Sequence, residues 1–290
     1  MFKIITYKKL ALVCCAVCFL LVFSAVMNTV TPVKQVFSEN RVVNLPIIMY
    51  HQISENTAIW GDYVIPQSKL REDFQYMKDN GYSPVSLKTV LDYVNGITDR
   101  LPEKPIVITF DDGERTFLTK VLPLLEEYEF PAVVSVIGAL ADMYTENKDT
   151  DDRYAYLNWK DIKELNDNPY TELGNHSYNM HSLGIRRGMG KINGETDEKY
   201  KKALLEDFTL LENAFLKHIG NKPYIIAYPY GIETESLKET AKNRGYSVTL
   251  TCCEKVNEIK VGQNLFELGR FNRPNKLSTE SFFNKITQCR

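Results

Sequence analysis

The sequence predicts an α/β domain, a barrel-like set of strands covered by helices, preceded by one N-terminal transmembrane helix. Three observations carry that expectation. From Leu45 onward, short apolar runs alternate with amphipathic stretches, the order expected of an α/β domain. Ile106 to Phe110 is a run of strand length that reads as a parallel strand covered on both faces. Near the N-terminus, Lys3, Lys8 and Lys9 precede an almost uninterrupted apolar stretch from Leu10 to Met27.

That stretch divides the chain into a short basic cytoplasmic segment (1–9), an anchor (10–27), a linker (28–44) and one globular domain (45–290). A spanning helix needs about 20 apolar residues and a signal-peptide core about 7–15, so the length favours a retained anchor. The basic flank stays inside, which puts the domain outside the cytoplasm on a single-pass tether. Ser24, Ala25 and Val26 offer a cleavage site as the alternative, and the domain would then be secreted. Of six cysteines, Cys14, Cys15 and Cys18 lie in the apolar stretch. A bridge from Cys252 or Cys253 to Cys289 is open in an oxidising compartment.

With 44% hydrophobic and 25% charged residues among 290, the chain can bury one large core. A net charge of -2 gives no clustered positive field for a nucleic acid, and that partner class is set aside. Within the domain, Leu45 to Tyr50 is strand-like. Leu70, Phe74 and Met77 recur at helical spacing after Ser68 as N-cap, and Gly81 ends that helix. Ser86 starts a second helix with Leu87, Val90, Leu91 and Val94 on one side. Val133 to Ile137 is a further strand, and Ile162 and Leu165 mark a short helix capped by Asn158. Leu204, Leu205, Phe208, Leu211 and Phe215 mark a long helix before the strand Ile225 to Ala227.

Scarce polar side chains fall directly after these strands, where an α/β barrel carries its chemistry. Asp111, Asp112 and Gly113 follow Ile106 to Phe110. His51 follows the first strand, His176 and His181 follow Glu172 to Asn175, and Tyr228-Pro229-Tyr230-Gly231 follows Ile225 to Ala227. Three of the four histidines sit at such junctions. Positions five apart diverge by roughly 140° on a helix, so His176 and His181 converge only from a loop, for which Gly174, Asn175, Ser177 and Asn179 are suited. Two imidazoles and one carboxylate, Asp112, form a common hydrolytic metal site with room left for water and substrate. Asp-Asp-Gly after a strand is otherwise simply a turn.

These strings, Thr109-Phe110-Asp111-Asp112-Gly113, the His176 to His181 motif and Tyr228-Pro229-Tyr230-Gly231, resemble in order and content the motifs of polysaccharide deacetylases of carbohydrate esterase family 4. The resemblance runs from about Pro46 to Phe283 and is nearest to the poly-N-acetylglucosamine deacetylase branch. It implies a distorted (β/α) barrel and a membrane-tethered hydrolase removing acetyl groups from an N-acetylated surface polysaccharide. One divalent metal ion is implied, zinc by default, with cobalt, nickel, iron or manganese as alternatives. Two departures from the wider family stand out: four residues separate the histidines instead of three, and Tyr228 stands where many members have Arg. No histidine follows His218, so the wider family's late catalytic histidine is missing, and Met49-Tyr50-His51 makes His51 the expected general acid.

The resemblance further implies Asp112, His176 and His181 as metal ligands, Asp111 as general base and the Tyr230 backbone N–H as oxyanion donor. Arg270 or Arg273 takes the place of the missing motif arginine beside Asp111, with Arg270 favoured over a plain surface salt bridge. Trp159 either walls the sugar groove or belongs to the core. Glu114 stands where relatives often have an aromatic residue. The stretch from Arg186 to Lys202 is expected to be an exposed loop. Other readings keep the same residues for peptidoglycan N-deacetylation or glycan ester removal, or replace catalysis by glycan binding.

Overall fold

The computed structural model describes residues 42–289. The apolar stretch 10–27 and most of the linker lie outside them. Among the described residues no helix is long and apolar enough to cross a membrane. The strands are β1 (Val43–Leu45), β2 (Ile47–Tyr50), β3 (Gln52–Ile53), β4 (Val64–Ile65), β5 (Ser83–Pro84), β6 (Pro105–Phe110) and β7 (Ala132–Val136). They continue with β8 (Thr171–Asn175), β9 (Ile225–Ala227), β10 (Val248–Leu250), β11 (Asn257–Ile259), β12 (Leu265–Leu268) and β13 (Phe271–Asn272).

One parallel sheet dominates, in the order β12-β10-β9-β8-β7-β6-β2-β13, with β5 paired beside the start of β6. Its two edge strands, β12 and β13, are consecutive in the chain, with only Gly269 and Arg270 between them. Two residues span at most about 11 Å, so the sheet must curl until its edges nearly meet. The result is a partial barrel. A Cβ on Gly269 would lie 2.3 Å from the Cys253 carbonyl oxygen, which is why the chain has glycine at this seam.

Both faces of the strands are apolar, and alternate residues join different cores. Ile48, Tyr50, Ile106, Ile108, Phe110, Val134 and Val136 pack with residues of the helices Gln67–Asp79, Leu122–Tyr128, Trp159–Asn166 and Thr279–Gln288. Ile47, Val107, Val133, Ile225 and Val248 pack instead with the helix Leu87–Val94. Further along β6 the second series turns polar, through Thr109 to Asp111, and the site begins there.

Several local expectations change. The helix Gln67–Asp79 starts after Pro66, which stands at the N-cap in an extended conformation with no side-chain cap, and Ser68 lies inside the helix. Ser86 and Asn158 do cap their helices, accepting from Thr89 N–H and from Lys160 and Asp161 N–H. Val43 and Asn44, assigned to the linker, pair in β1 with Ile259 and Glu258, since Val43 and Leu45 bury while Asn44 faces out. The stretch 186–202 is only half a loop: Asp197–His218 is one helix, and Met189 is buried against Tyr200 and Phe208. Cys252, Cys253 and Cys289 are all free thiols.

Candidate active site

The site forms where the C-terminal ends of β2, β6, β8 and β9 meet, around a pocket of about 520 Å³ that contains His51, Asp111, Asp112, His176, His181 and Tyr230. Three backbone kinks aim its side chains. Asp112, Ser177 and Tyr230 have φ of 70°, 77° and 58°, a left-handed region unfavourable to residues with a Cβ. Such strain gathers at functional sites. Gly113 continues the turn at φ +70°, where a Cβ would meet Val136 Cγ1 at 2.9 Å. This crowding makes the second glycine-type position of the Asp-Asp-Gly turn obligatory.

The two adjacent aspartates have opposite surroundings. Asp111 is 3% exposed, and both its oxygens are taken by Arg270, whose Nη1 and Nη2 donate at 2.7 and 2.8 Å. Arg270, fully buried, also donates from Nε to the Thr251 carbonyl and from Nη1 to Thr109 Oγ1. This is the fork geometry for which a lysine would be no substitute. Burial pushes the Asp111 carboxyl up, and the Arg270 guanidinium together with His176 and His51 more than reverses that, so it is held below its ordinary value. Arg273, the other arginine considered, is bound to Asp73 instead at 2.8 and 2.9 Å.

Asp112 Oδ1 is buried without a hydrogen-bond partner and lies 3.3 Å from His176 Nε2 and 3.1 Å from His181 Nε2. Ligand atoms at about 2.0–2.1 Å around a tetrahedral ion lie roughly 3.3 Å apart, so this donor set fits one metal ion. The ligand atoms of Asp112, His176 and His181 fall within 4.8 Å of one another. His176 Nδ1 is 2.8 Å from the Ala227 carbonyl oxygen. As an N–H donor there, Nδ1 leaves the Nε2 lone pair free for the ion, the usual way a backbone carbonyl orients such a ligand. Burial would lower the His176 pKa, but the charges of Asp111 and Asp112 raise it above 6.5. Burial likewise favours a protonated Asp112, and the His176 and His181 contacts hold it far below the ordinary range.

A cation therefore competes with a proton at His176 up to a higher pH than at an ordinary imidazole, and with none at Asp112. As pH is lowered, zinc affinity is expected to fall by up to about tenfold per pH unit, starting above pH 6.5, where an ordinary imidazole would only begin to compete. Chelator-competition titrations between pH 5.5 and 8.5 check this. A flat profile would contradict the assignment of His176.

His51 lies edge-on to Tyr63, ring centroids 4.8 Å apart, and burial lowers its pKa. Tyr230 packs its ring on His181 at 4.8 Å beneath Arg187. Trp159 is not at the groove: it is 3% exposed, donates to Asp142 at 2.6 Å and stacks on His218. Its side of the helix Trp159–Asn166 faces the core, so the substrate-binding assignment does not hold. Tyr63, Arg187 and Cys252 also line the pocket, and none stands in a recognisable motif.

Glu114 sits beside the centre with Oε2 buried and unpartnered. Burial, helped by the Asp112 charge, pushes its carboxyl up to about 8. The raised folded-state value means Glu114 destabilises increasingly as pH rises from its unfolded value, about 4.3, through 8. In metal-free protein, Glu114→Gln is expected to raise Tm by roughly 3–6 °C at pH 9 and to leave it unchanged near pH 4.5. Thermal melts at both pH values test this; an equal gain at both would mean that ionisation of Glu114 is not the source of the gain.

Fold and site together define a partial parallel α/β barrel with a candidate metal centre at its strand ends. Residues 98–249 match the polysaccharide deacetylase family model. The chain belongs to the polysaccharide deacetylase family. It is 27% identical over 224 residues to a poly-beta-1,6-N-acetyl-D-glucosamine N-deacetylase of Escherichia coli K12, a match covering 70% of this chain and 33% of that protein. The chain thus spans about a third of that relative. A Staphylococcus aureus MRSA252 protein of the same name is 24% identical over 196 residues, 67% of this chain and 63% of that one. Among solved structures, a de-N-acetylase from Aggregatibacter actinomycetemcomitans superposes with a TM-score of 0.71 at 24% identity, covering 83% of this chain and 99% of that one, a likeness of fold.

Proposed function

We propose that this protein removes N-acetyl groups from N-acetylglucosamine residues of a surface polysaccharide, with poly-beta-1,6-N-acetylglucosamine as its polymer. The observation that carries the reading is the pairing of an unbonded Asp112 oxygen with two imidazole nitrogens next to a carboxylate, Asp111, held ionised by Arg270. A glycan-binding module has no need of such a buried ion pair beside a ligand cluster. The names of the similar proteins support the choice of polymer.

Asp112, His176 and His181 would hold a divalent cation, with zinc as the default for this donor set. Such a cation supplies Lewis-acid polarisation and brings a bound water's pKa towards about 7. Asp111, ionised and fixed by Arg270, takes the proton of the attacking water. The backbone N–H of Tyr230, the residue after a proline that has none to give, faces the developing oxyanion. His51 is the residue assigned to deliver a proton to the departing sugar amine; burial lowers its pKa, so the protonated ring has to be restored from solvent for each turnover. Acetate and a free amine on the polymer are the products. In this reading residues 10–27 tether the domain outside the cytoplasm, near the membrane from which polymer emerges; cell fractionation with protease accessibility tests that placement.

The purified full-length protein is tested for acetate release from β-1,6-linked N-acetylglucosamine oligomers, with peptidoglycan and acetylxylan in parallel. Release from the oligomers that disappears on chelation and returns with zinc is the expected result. Faster release from peptidoglycan or acetylxylan would move the assignment to that substrate. No release from any of them would leave the glycan-binding alternative.

A further inference from the structure

The histidine pair poses a geometric problem, because His181 must reach Asp112 across four residues that form no helix or strand. His176 is placed by β8 and by the Ala227 carbonyl. His181 has neither support; Tyr230 packs on its ring with Oη 3.5 Å from Nδ1, and its backbone position depends on the loop Ser177 to Met180. The backbone groups of that loop are held almost one by one. Ser177 N–H donates to Asn175 Oδ1, the Ser177 and Tyr178 carbonyls accept from Gly138 and Ala139 N–H, and Met180 N–H donates to Ser177 Oγ. The two central N–H groups, of Tyr178 and Asn179, both go to one side chain. They donate to Asp207 Oδ1 and Oδ2 at 2.9 and 2.8 Å.

Asp207 lies on the helix Asp197–His218, is 5% exposed and forms no ion pair with a cation among the described residues. A buried carboxylate without a counter-cation is costly unless hydrogen bonds replace its hydration. Here two consecutive backbone N–H groups do so in part, a small anion-binding nest, while burial still holds the carboxyl above its ordinary value. Only a carboxylate offers both oxygens as acceptors; an amide presents one oxygen and one NH₂, which would face a donor. Glu212 on the same helix is equally buried but is bound to Arg244 and takes no part in the loop.

We infer that Asp207 is a positioning residue for the metal site: by gripping both N–H groups at the centre of the loop between His176 and His181, it sets the approach of His181 to Asp112. The inference rests on Asp112, His176 and His181 being the metal-binding group. Loss of the grip leaves His176 in place and frees His181 alone, turning a three-ligand site towards a two-ligand one.

The test measures zinc affinity of the full-length, metal-stripped protein by competition with a chromophoric chelator, alongside its melting temperature. Asp207→Asn is expected to weaken zinc binding about 10–100-fold, the usual cost of removing a group that orients a ligand. Asp207→Ser, small enough to admit water to the two N–H groups, provides the same comparison should the amide fail to fold. Glu212→Gln controls for loss of a buried carboxylate from this helix, with a lowered melting temperature and unchanged zinc affinity expected. Wild-type zinc affinity in a folded Asp207 variant would overturn the inference, as would equal weakening in Glu212→Gln. If the wild-type protein itself binds no zinc, the metal reading fails before the question of Asp207 arises.

Discussion

Replacing Arg270 by methionine is expected to lower the melting temperature by roughly 10 °C and to reduce acetate release at least about 100-fold. The reason is the depth of the pair: Arg270 is fully buried and Asp111 3% exposed, joined by two hydrogen bonds. Breaking a buried pair by removing one partner costs about 3–5 kcal/mol, because the remaining charge has lost both water and partner. For a domain of this size each kcal/mol shifts Tm by about 2–4 °C. The abandoned carboxylate would meet that cost by protonating, since burial alone pushes it up, and a protonated Asp111 accepts no proton from water. The activity loss should therefore be relieved by raising pH, whereas a merely misfolded variant would stay inactive. Adding Asp111→Asn to Arg270→Met should recover much of the stability and none of the activity. Thermal melts and pH–rate profiles of the two variants beside wild type decide this. A single variant that melts like wild type would show that the pair contributes little.

The strand ends were legible in the sequence because a buried parallel strand and the polar residue after it contrast sharply: Phe110 to Asp111, Tyr50 to His51, Asn175 to His176. That His176 and His181 could converge only from a loop was also legible, from helix geometry. Arg270 was only half legible. Arg270 and Arg273 are three residues apart with similar neighbours, and nothing local distinguishes the arginine at the barrel seam from the one bound to Asp73 on the helix Gln67–Asp79. Asp207 was invisible for a related reason. On a helix with acidic residues at Asp197, Glu198, Glu206 and Glu212, one more carboxylate reads as solvated surface, and only the packing of the helix against the loop buries it. Trp159 shows the converse. An indole next to a helix cap is compatible with groove or core, and the choice was made by a partner, Asp142, distant in sequence. Pro66 and Val43 mark the limits of local rules at element ends, where capping preferences yield to chain entry and strand pairing.

Asp111 and Asp112, neighbours in sequence, should behave as different machines when each is changed to asparagine. Asp112→Asn is expected to abolish tight zinc binding and, with it, acetate release. Its Oδ1 is the atom facing both imidazoles, and a neutral amide oxygen there would neither offset the ion's charge nor match a carboxylate as a ligand. Asp111→Asn is expected to retain zinc within a few-fold of wild type and still lose about 10³-fold in rate, within the usual range for removing a general base. The β-strand alternation makes the separation physical. Asp111 continues the inward series Val107, Thr109 and is occupied by Arg270, whereas Asp112, turned by its left-handed φ, points to the histidines. Zinc titration and acetate release measured on the same two preparations give four numbers, and only one pattern fits: binding without turnover for Asp111→Asn, neither for Asp112→Asn. Should Asp111→Asn also lose zinc, both carboxylates would have to belong to the ligand set, and the proton acceptor would have to be sought elsewhere, beginning with Glu114, whose Oε2 is buried without a partner.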